Sequence, residues 1–550
     1  MSAPLRRVLA PLAFVACLLL YSVPVSAHAV LLRAEPSNGS AQPQAPAAVR
    51  LSFNEDIEAE FNPLVVRDQK GTRVDRGDAH LDPQDPKVLV VGLKPLGSGF
   101  YTAIYRVTSA DGHPVEGSLG FTVGTAAAGP APAPAAQAPA DPAWLVASAA
   151  IAHGAAQATA VCLAGLVAFA LLIWLPTAGA TGLGEAAVGS FRRWLWYLLL
   201  LLLLAGVAEL VVYAVRVSGE GLSLGLLGQA LARTRVGHLW LARAGAALLA
   251  AAVGTWSLRR PHALAPWLAL LCGALLLFTL TLQSHAAADK STLTIAADFT
   301  HLLAVSPWVG GLLGFTLGLL QPFPDRSRFL ATAVPRFSRF AVVSVALLLV
   351  TGLYAALLRI PSLTGLTGTA YGRSFLVKMG LLLPLLALGA LNLRRRGAGA
   401  LGRWVGTELA LAAAIFVATG FLTSLPPARV ALLQNLGPFQ QTQAAGPLSV
   451  TLRIEPRELG FNSSTITVHN PDGSPLTDAS VGLRLTMTTP GMDMGTQNPE
   501  GKAVAPGVYA IDQVVLGMSG NWQVQVVVLT ARGQEYRINF DVEVPEPPQA

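Results

Sequence analysis

The residues with the most chemistry to offer are His28, Asp111 and His113. Residues 1–27 carry Arg6 and Arg7, an apolar run from Val8 to Tyr21, and the small-residue end Val25-Ser26-Ala27. That pattern predicts a secretory signal peptide cut after Ala27. The cut makes His28 the first residue of the mature chain, where its free amine and its imidazole can chelate one ion together. Asp111 and His113 stand at i and i+2 in Ser109-Ala110-Asp111-Gly112-His113-Pro114. In extended chain such side chains point the same way and can face one ion. Nitrogen and oxygen donors in this number suit Cu(II), which favours a tetragonal arrangement. The same segment also reads as a solvated turn, because Asp-Gly is a common turn pair.

A second group lies in apolar surroundings: His153, Glu209, His285, Asp298 and His301. Ionisable side chains inside a membrane are costly, so each is a candidate ligand or proton carrier. Asp298 and His301 share one helical face at i, i+3. The competing readings are an interfacial histidine and, for Asp298, a helix N-cap. A third group is made of thioethers. Four of the six methionines, Met487, Met492, Met494 and Met518, fall in the last hundred residues. Thioethers are soft ligands that favour Cu(I), although Met487 and Met518 also fit as core fillers. His80 and His469 read as surface residues.

The elements that must position these groups follow from composition. Of 550 residues, 53% are hydrophobic and 13% charged, against about 25% charged in soluble domains. Mean hydropathy is +0.52. The net charge of +7 does not point to nucleic acid, because the basic residues sit in short loops between apolar runs. Cys17 leaves with the signal, and Cys162 and Cys272 lie in apolar helices, so no disulfide framework is implied.

Eight apolar stretches are long enough to span a bilayer, near 144–175, 194–215, 238–257, 265–283, 296–320, 338–358, 374–393 and 404–425. A secreted first domain puts the start of the first helix outside, and the arginine-rich loops then fall inside, as the positive-inside rule asks. All five membrane groups are then expected in the outer leaflet. Flanking the helices, residues 28–124 and 446–544 read as short strands between turns, each a small β-sandwich. Residues 125–142 are an Ala/Pro linker, and 143–428 hold the helices. The expectation is a multidomain membrane protein: a cupredoxin-like β-sandwich, an eight-helix transmembrane bundle and a second small β-sandwich.

The amino-terminal His, Leu51-Ser52-Phe53-Asn54-Glu55 and Ser109–Val123 (SADGHPVEGSLGFTV) resemble the CopC family of periplasmic copper-binding proteins. The resemblance implies a Cu(II) site at His28, Asp111 and His113, with Glu55 as an axial or neighbouring group. Some members of that family add a Met-rich Cu(I) site, which is not expected here because residues 28–124 contain no methionine. His285-Ala286, His301-Leu302-Leu303-Ala304, Trp308-Val309-Gly310-Gly311, Arg336–Phe340 and Tyr371-Gly372-Arg373 through Lys378 resemble the CopD family. That implies an eight-helix inner-membrane protein associated with copper movement. Thr489–Gly495 and Met518–Trp522 resemble the YtkA-like family.

No glycine-rich phosphate loop, Asp-Lys-Thr-Gly-Thr sequence or Cys-Pro-Cys is present, so transport would be passive or ion-coupled. The expected function is copper capture outside and transport across the bacterial cytoplasmic membrane, with copper ions, the bilayer and other periplasmic copper carriers as partners and no enzymatic activity. Sequestration without inward transport is the alternative. An oxidative copper enzyme is a third reading, disfavoured because Asp111 closes the coordination that oxygen needs.

Overall fold

The computed structural model describes residues 29–544 except 30, 37–39, 54, 60, 110–113, 125–141, 183–184, 219–222, 260–263, 289–290, 322–324, 396–397, 426, 429–430, 433–437, 456, 458–459, 488–499 and 517–519. The chain separates into a helical unit, whose main segment is Asp141–Ala431, and a strand-built unit from the sequence on either side.

The amino-terminal strands are β1 (Leu31–Glu35), β2 (Ser40–Gln42), β3 (Ala48–Phe53), β4 (Ile57–Glu58), β5 (Leu64–Asp68), β6 (His80–Asp82), β7 (Asp85–Gly92), β8 (Gly99–Ser109) and β9 (Pro114–Val123). They form a sheet in the order β1-β3-β7-β6 and a second in the order β2-β9-β8-β4, with β5 also on β8. Alternation dictates the inward faces. In β3, Val49, Leu51 and Phe53 are buried while Arg50 is exposed. They meet Leu64, Val66, Leu89, Tyr105 and Phe121 in one core.

The carboxy-terminal strands are β10 (Phe439–Ala445), β11 (Leu448–Glu455), β12 (Gly460–His469), β13 (Ala479–Met487), β14 (Lys502–Ala505), β15 (Val508–Leu516), β16 (Gly520–Thr530) and β17 (Glu535–Val544). One sheet runs β10-β11-β12-β15-β14 and the other β13-β16-β17, closing on Leu452, Ile466, Leu485, Trp522, Val526 and Phe540.

The helical unit begins with α1 (Ala143–Thr181), which passes through a π-helical turn at Ala170–Trp174. Then come α2 (Ala186–Ser218), α3 (Leu224–Arg233), α4 (Arg235–Arg259), α5 (Ala265–Thr281), α6 (His285–Ala288), α7 (Thr292–Leu319), α8 (Arg326–Arg359), α9 (Leu363–Gly368), α10 (Ala370–Arg395) and α11 (Ala398–Ser424). Seven of these are long and apolar enough to cross a membrane, and α5 is a further apolar helix of 17 residues. That length is at the short end of what spans a bilayer, so the eight expected helices are matched to within this one element. Lipid-type exposure explains the surface: Leu200, Leu204, Leu271, Leu353, Val377 and Leu383 all face outward.

Close packing centres on α1. Gly165 faces Gly310 of α7 so closely that a Cβ on Gly310 would lie 2.2 Å from the Gly165 carbonyl carbon. Gly154 meets Gly420 of α11 in the same way. Small residues let helix backbones approach where no hydrophobic force acts between them. Toward the end of the bundle where α2 and α8 begin, Phe169, Trp174, Phe191, Phe315, Phe329 and Phe337 fill the core, in tilted and edge-to-face contacts such as Phe169–Phe315 at 4.8 Å.

Candidate metal-relay site

The bundle carries a polar layer near the end at which α1 begins and α2 finishes. Glu209, in the last three turns of α2, is its most connected member. His153 of α1 places Nδ1 2.6 Å from Glu209 Oε1. Arg243 of α4 donates from its guanidinium to Oε2 at 3.1 Å, and Gln283 donates from Nε2 to Oε1 at 3.0 Å. Arg243 also donates to Gln283 Oε1. The group is well buried: side-chain exposure is 17% for His153, 11% for Glu209 and 3% for Arg243. A buried carboxylate needs such partners, since an unpaired one would be prohibitively costly.

The chain then carries the layer across the bundle. Gln283 reaches Glu209, while its neighbour Ser284 donates from its hydroxyl to the Thr281 carbonyl at 2.8 Å and lies with the same oxygen 3.3 Å from Asp298 Oδ2 of α7. His285 follows directly, opening the one-turn α6 and only 6% exposed. His301 of α7 pairs through Nδ1 with Thr351 Oγ1 of α8 at 2.8 Å. Thr351 sends its only hydroxyl proton to the Leu347 carbonyl at 2.7 Å, so His301 Nδ1–H is the donor. The charges of Arg359 of α8 and Lys378 of α10 both act on Asp298, and that of Lys378 on His301.

The five expected membrane residues therefore occupy one layer but not one point. His153 and Glu209 touch; Asp298 and His301 sit on the neighbouring side, joined to them through Gln283 and Ser284. Among the described residues no three His, Cys, Asp or Glu side chains gather as a metal site. The capping alternative for Asp298 does not hold, because α7 begins at Thr292 with Ser291 before it and Asp298 lies well inside.

Arg243, Gln283 and Thr351 were not expected. Arg243 had a signal: a charge in the middle of the apolar run Leu239–Ala250 deserves the same suspicion as Glu209. Thr351 had none, since a threonine in an apolar helix can simply return its hydroxyl to its own backbone.

The other expected ligands fall largely outside what the structure describes. His28, Asp111, His113, Met492, Met494 and Met518 lie outside the described residues, as does the side chain of Met487, whose backbone ends β13. In sequence, Asp111 and His113 fall between the paired strands β8 and β9. Glu55 is 5% exposed, at the edge of the core that β3 builds. His80 is exposed and its Nδ1 lies 2.6 Å from the Asp78 carbonyl.

Comparison with known proteins resolves the affiliation. Residues 31–124 match the CopC domain, 140–295 the copper resistance protein D-like N-terminal domain, 331–422 copper resistance protein D and 442–527 the YtkA-like family. Copper transport protein CutJ of Bacillus subtilis (strain 168) is 30% identical over 94% of this chain and 95% of its own length. The chain belongs to the CopC–CopD fusion family. Copper resistance protein D of Pseudomonas syringae pv. tomato is 30% identical to this fusion protein over 38% of the chain and 70% of its own length. CopC from Methylosinus trichosporium OB3b, a crystal structure, is 33% identical over 18% of this chain and 94% of that one, with a TM-score of 0.17. In the fusion protein His153, Glu209, Arg243, Gln283, Ser284, His285, Thr351 and Lys378 lie within the two CopD-type matches, Asp298 and His301 lie in the stretch between them, and the CopC- and YtkA-like parts are the two strand-built regions.

Proposed function

We propose that this fusion protein captures Cu(II) outside the cell membrane and carries copper inward across it. His28, Asp111 and His113 would hold the captured Cu(II), and His285 and His301 would receive it in the polar layer as Cu(I), after a one-electron reduction by an external reductant such as a low-molecular-weight thiol. Both strand-built regions would be extracytoplasmic, the second offering Met487, Met492, Met494 and Met518 to Cu(I). Other periplasmic copper carriers would be the donors.

The observation that carries this reading is similarity along nearly the whole chain to a protein named for copper transport. The polar layer supports it: a bilayer-spanning bundle does not keep histidines and carboxylates at one depth without a use for them. The tethered capture domain raises the effective copper concentration at the bundle.

The test is total copper, by mass spectrometry, in cells and matched spheroplasts expressing the intact protein, the His285→Ala/His301→Ala variant, or neither. Import predicts higher spheroplast copper with the intact protein and loss of the increase in the variant. One observation favours a second reading. The described bundle gathers no three-ligand site, which suits sequestration outside without transport. In that case a membrane-impermeant chelator strips the extra copper from the spheroplasts, and the variant gains the same strippable copper.

A further inference from the structure

The helical unit repeats itself. Ser223 and Ser362 cap α3 and α9, accepting the N–H of Leu226 at 3.1 Å and of Gly365 at 3.0 Å. Each short helix ends in a threonine of nearly identical backbone, Thr234 (φ −98°, ψ 152°) and Thr369 (φ −97°, ψ 154°). Each threonine hydroxyl donates four residues back, to Ala230 at 2.7 Å and Gly365 at 2.6 Å, and accepts an N–H at 3.0 Å from Gly237 and Gly372. Those glycines have no room for a Cβ, which would lie 2.2 Å from the Ala230 oxygen and 2.3 Å from the Gly365 oxygen.

The match continues into the membrane. Leu241, Arg243 and Gly245 of α4 correspond in spacing from the threonine to Leu376, Lys378 and Gly380 of α10. On the preceding helices, Glu209 and Thr351 each take the Nδ1 of a histidine, and a buried tyrosine follows one turn later, Tyr213 and Tyr354. On the first helices, Leu166-Val167-Ala168-Phe169 corresponds to Leu312-Leu313-Gly314-Phe315, and the two phenylalanines meet at the α1–α7 crossing. Equivalent residues in contact are what a two-fold axis produces. The histidines differ by two residues in their distance from these phenylalanines, and Pro307, between His301 and Phe315, disturbs the helix there.

The copies are not chemically equal. His153 is saturated: Nδ1–H donates to Glu209, and Nε2 accepts from Gln157 Nε2 at 3.0 Å. Glu209 is in turn held by the Arg243 guanidinium, a cation that cannot lose its charge. In the second copy Nδ1–H of His301 is fixed by the neutral Thr351, which leaves the lone pair on Nε2, and among the described residues no group takes it. Lys378 stands where Arg243 does, and among the described residues no ion pair joins it to Asp298.

We propose that α1–α5 and α7–α11 are tandem copies of one unit of four long helices and one short one, each building the same histidine site, the first sealed by its own arginine and the second open to a soft monovalent cation at His301 Nε2. The identity of the ion rests on the copper reading above; the duplication and the difference between copies do not.

The experiment uses the full chain in detergent micelles and counts bound Ag(I), a redox-inert soft monovalent ion, alongside thermal unfolding. His301→Ala is expected to lose one equivalent without a lower midpoint. His153→Ala is expected to keep every equivalent and unfold earlier. Thr351→Glu/Lys378→Arg, which rebuilds the second copy as the first, is expected to lose the same equivalent as His301→Ala. Gln157→Ala frees His153 Nε2 and is expected to gain one, a check independent of whether the double variant folds. Loss of an equivalent on His153→Ala, or none on His301→Ala, overturns the open and sealed assignment. A folded double variant that keeps its ion, or no gain from Gln157→Ala, overturns the correspondence of the copies. If all these hold while His301→Ala leaves cell copper unchanged, the transport reading fails and the duplicated site stands.

Discussion

Two buried carboxylates show how single residues hold this protein together, and they titrate in different surroundings. Glu209 is paired with Arg243 inside the bundle, so Glu209→Gln strands a guanidinium that is 3% exposed. Breaking a buried pair from one side costs about 3–5 kcal/mol. The thermal midpoint in detergent should fall markedly for Glu209→Gln and largely recover in Glu209→Leu/Arg243→Met. Asp75, 1% exposed, lies in the amino-terminal sandwich. Burial by itself raises its pKa, but the Val66 N–H at 2.9 Å, the Arg73 guanidinium at 2.8 Å and the Gly77 N–H at 2.9 Å outweigh it and hold the carboxyl below the usual range. A lowered folded-state pKa gives stability that is present above the unfolded value, about 4, and is lost as pH falls through the folded value. Hydrogen exchange at the Val66 amide should therefore be faster in Asp75→Asn than in the parent at pH 7. The gap should close as pH falls below about 4; a constant gap would show that charge plays no part. Sequence alone marked His153 and Glu209 as costly but not as partners, because their contact is long-range and helix order in space is not written in periodicity.

At the level of elements, the crossing of α1 and α7 is a tight joint. A Cβ at residue 310 would meet backbone atoms of Gly165, which cannot move aside as a side chain could. Gly310→Ala should therefore lower the midpoint strongly. Gly245→Ala, in α4 with nothing within 4 Å of its Cβ, should leave it unchanged or raise it by up to about 1 kcal/mol in stability. Equal effects would show that the crossing does not limit stability. Most elements were legible, for particular reasons. Val49–Phe53 alternates and is β3; the long apolar runs become α1, α2, α7, α8, α10 and α11. β10 was not legible, because Phe439-Gln-Gln-Thr-Gln-Ala-Ala is polar and becomes a strand through its pairing with β11. β17 could have been found, since Glu535–Val544 alternates cleanly with Ile538, Phe540, Val542 and Val544 buried. The proposed helical repeat is not legible in the sequence, because its signature is a serine, a threonine, a glycine and a cation at matched spacing, not a run of identity.

At the scale of the whole molecule, family membership puts a CopC-type domain and CopD-type helices in one chain, and the proposed capture and membrane passage would then act on the same ion in turn. The aromatic packing of Phe169, Trp174, Phe191, Phe315, Phe329 and Phe337 then has an electrical consequence. It makes the core between α1, α2, α7 and α8 a dry slab on one side of the polar layer, and a membrane voltage drops mainly where water is absent. A cation leaving the layer through that slab would move through most of the field, gaining about 2.3 kcal/mol per charge for each 100 mV. In vesicles with a potassium diffusion potential set by valinomycin, copper uptake should rise steeply as the interior is made negative. Uptake indifferent to voltage would mean that the ion reaches the far side by a hydrated route, or that the charge it carries is balanced on the way.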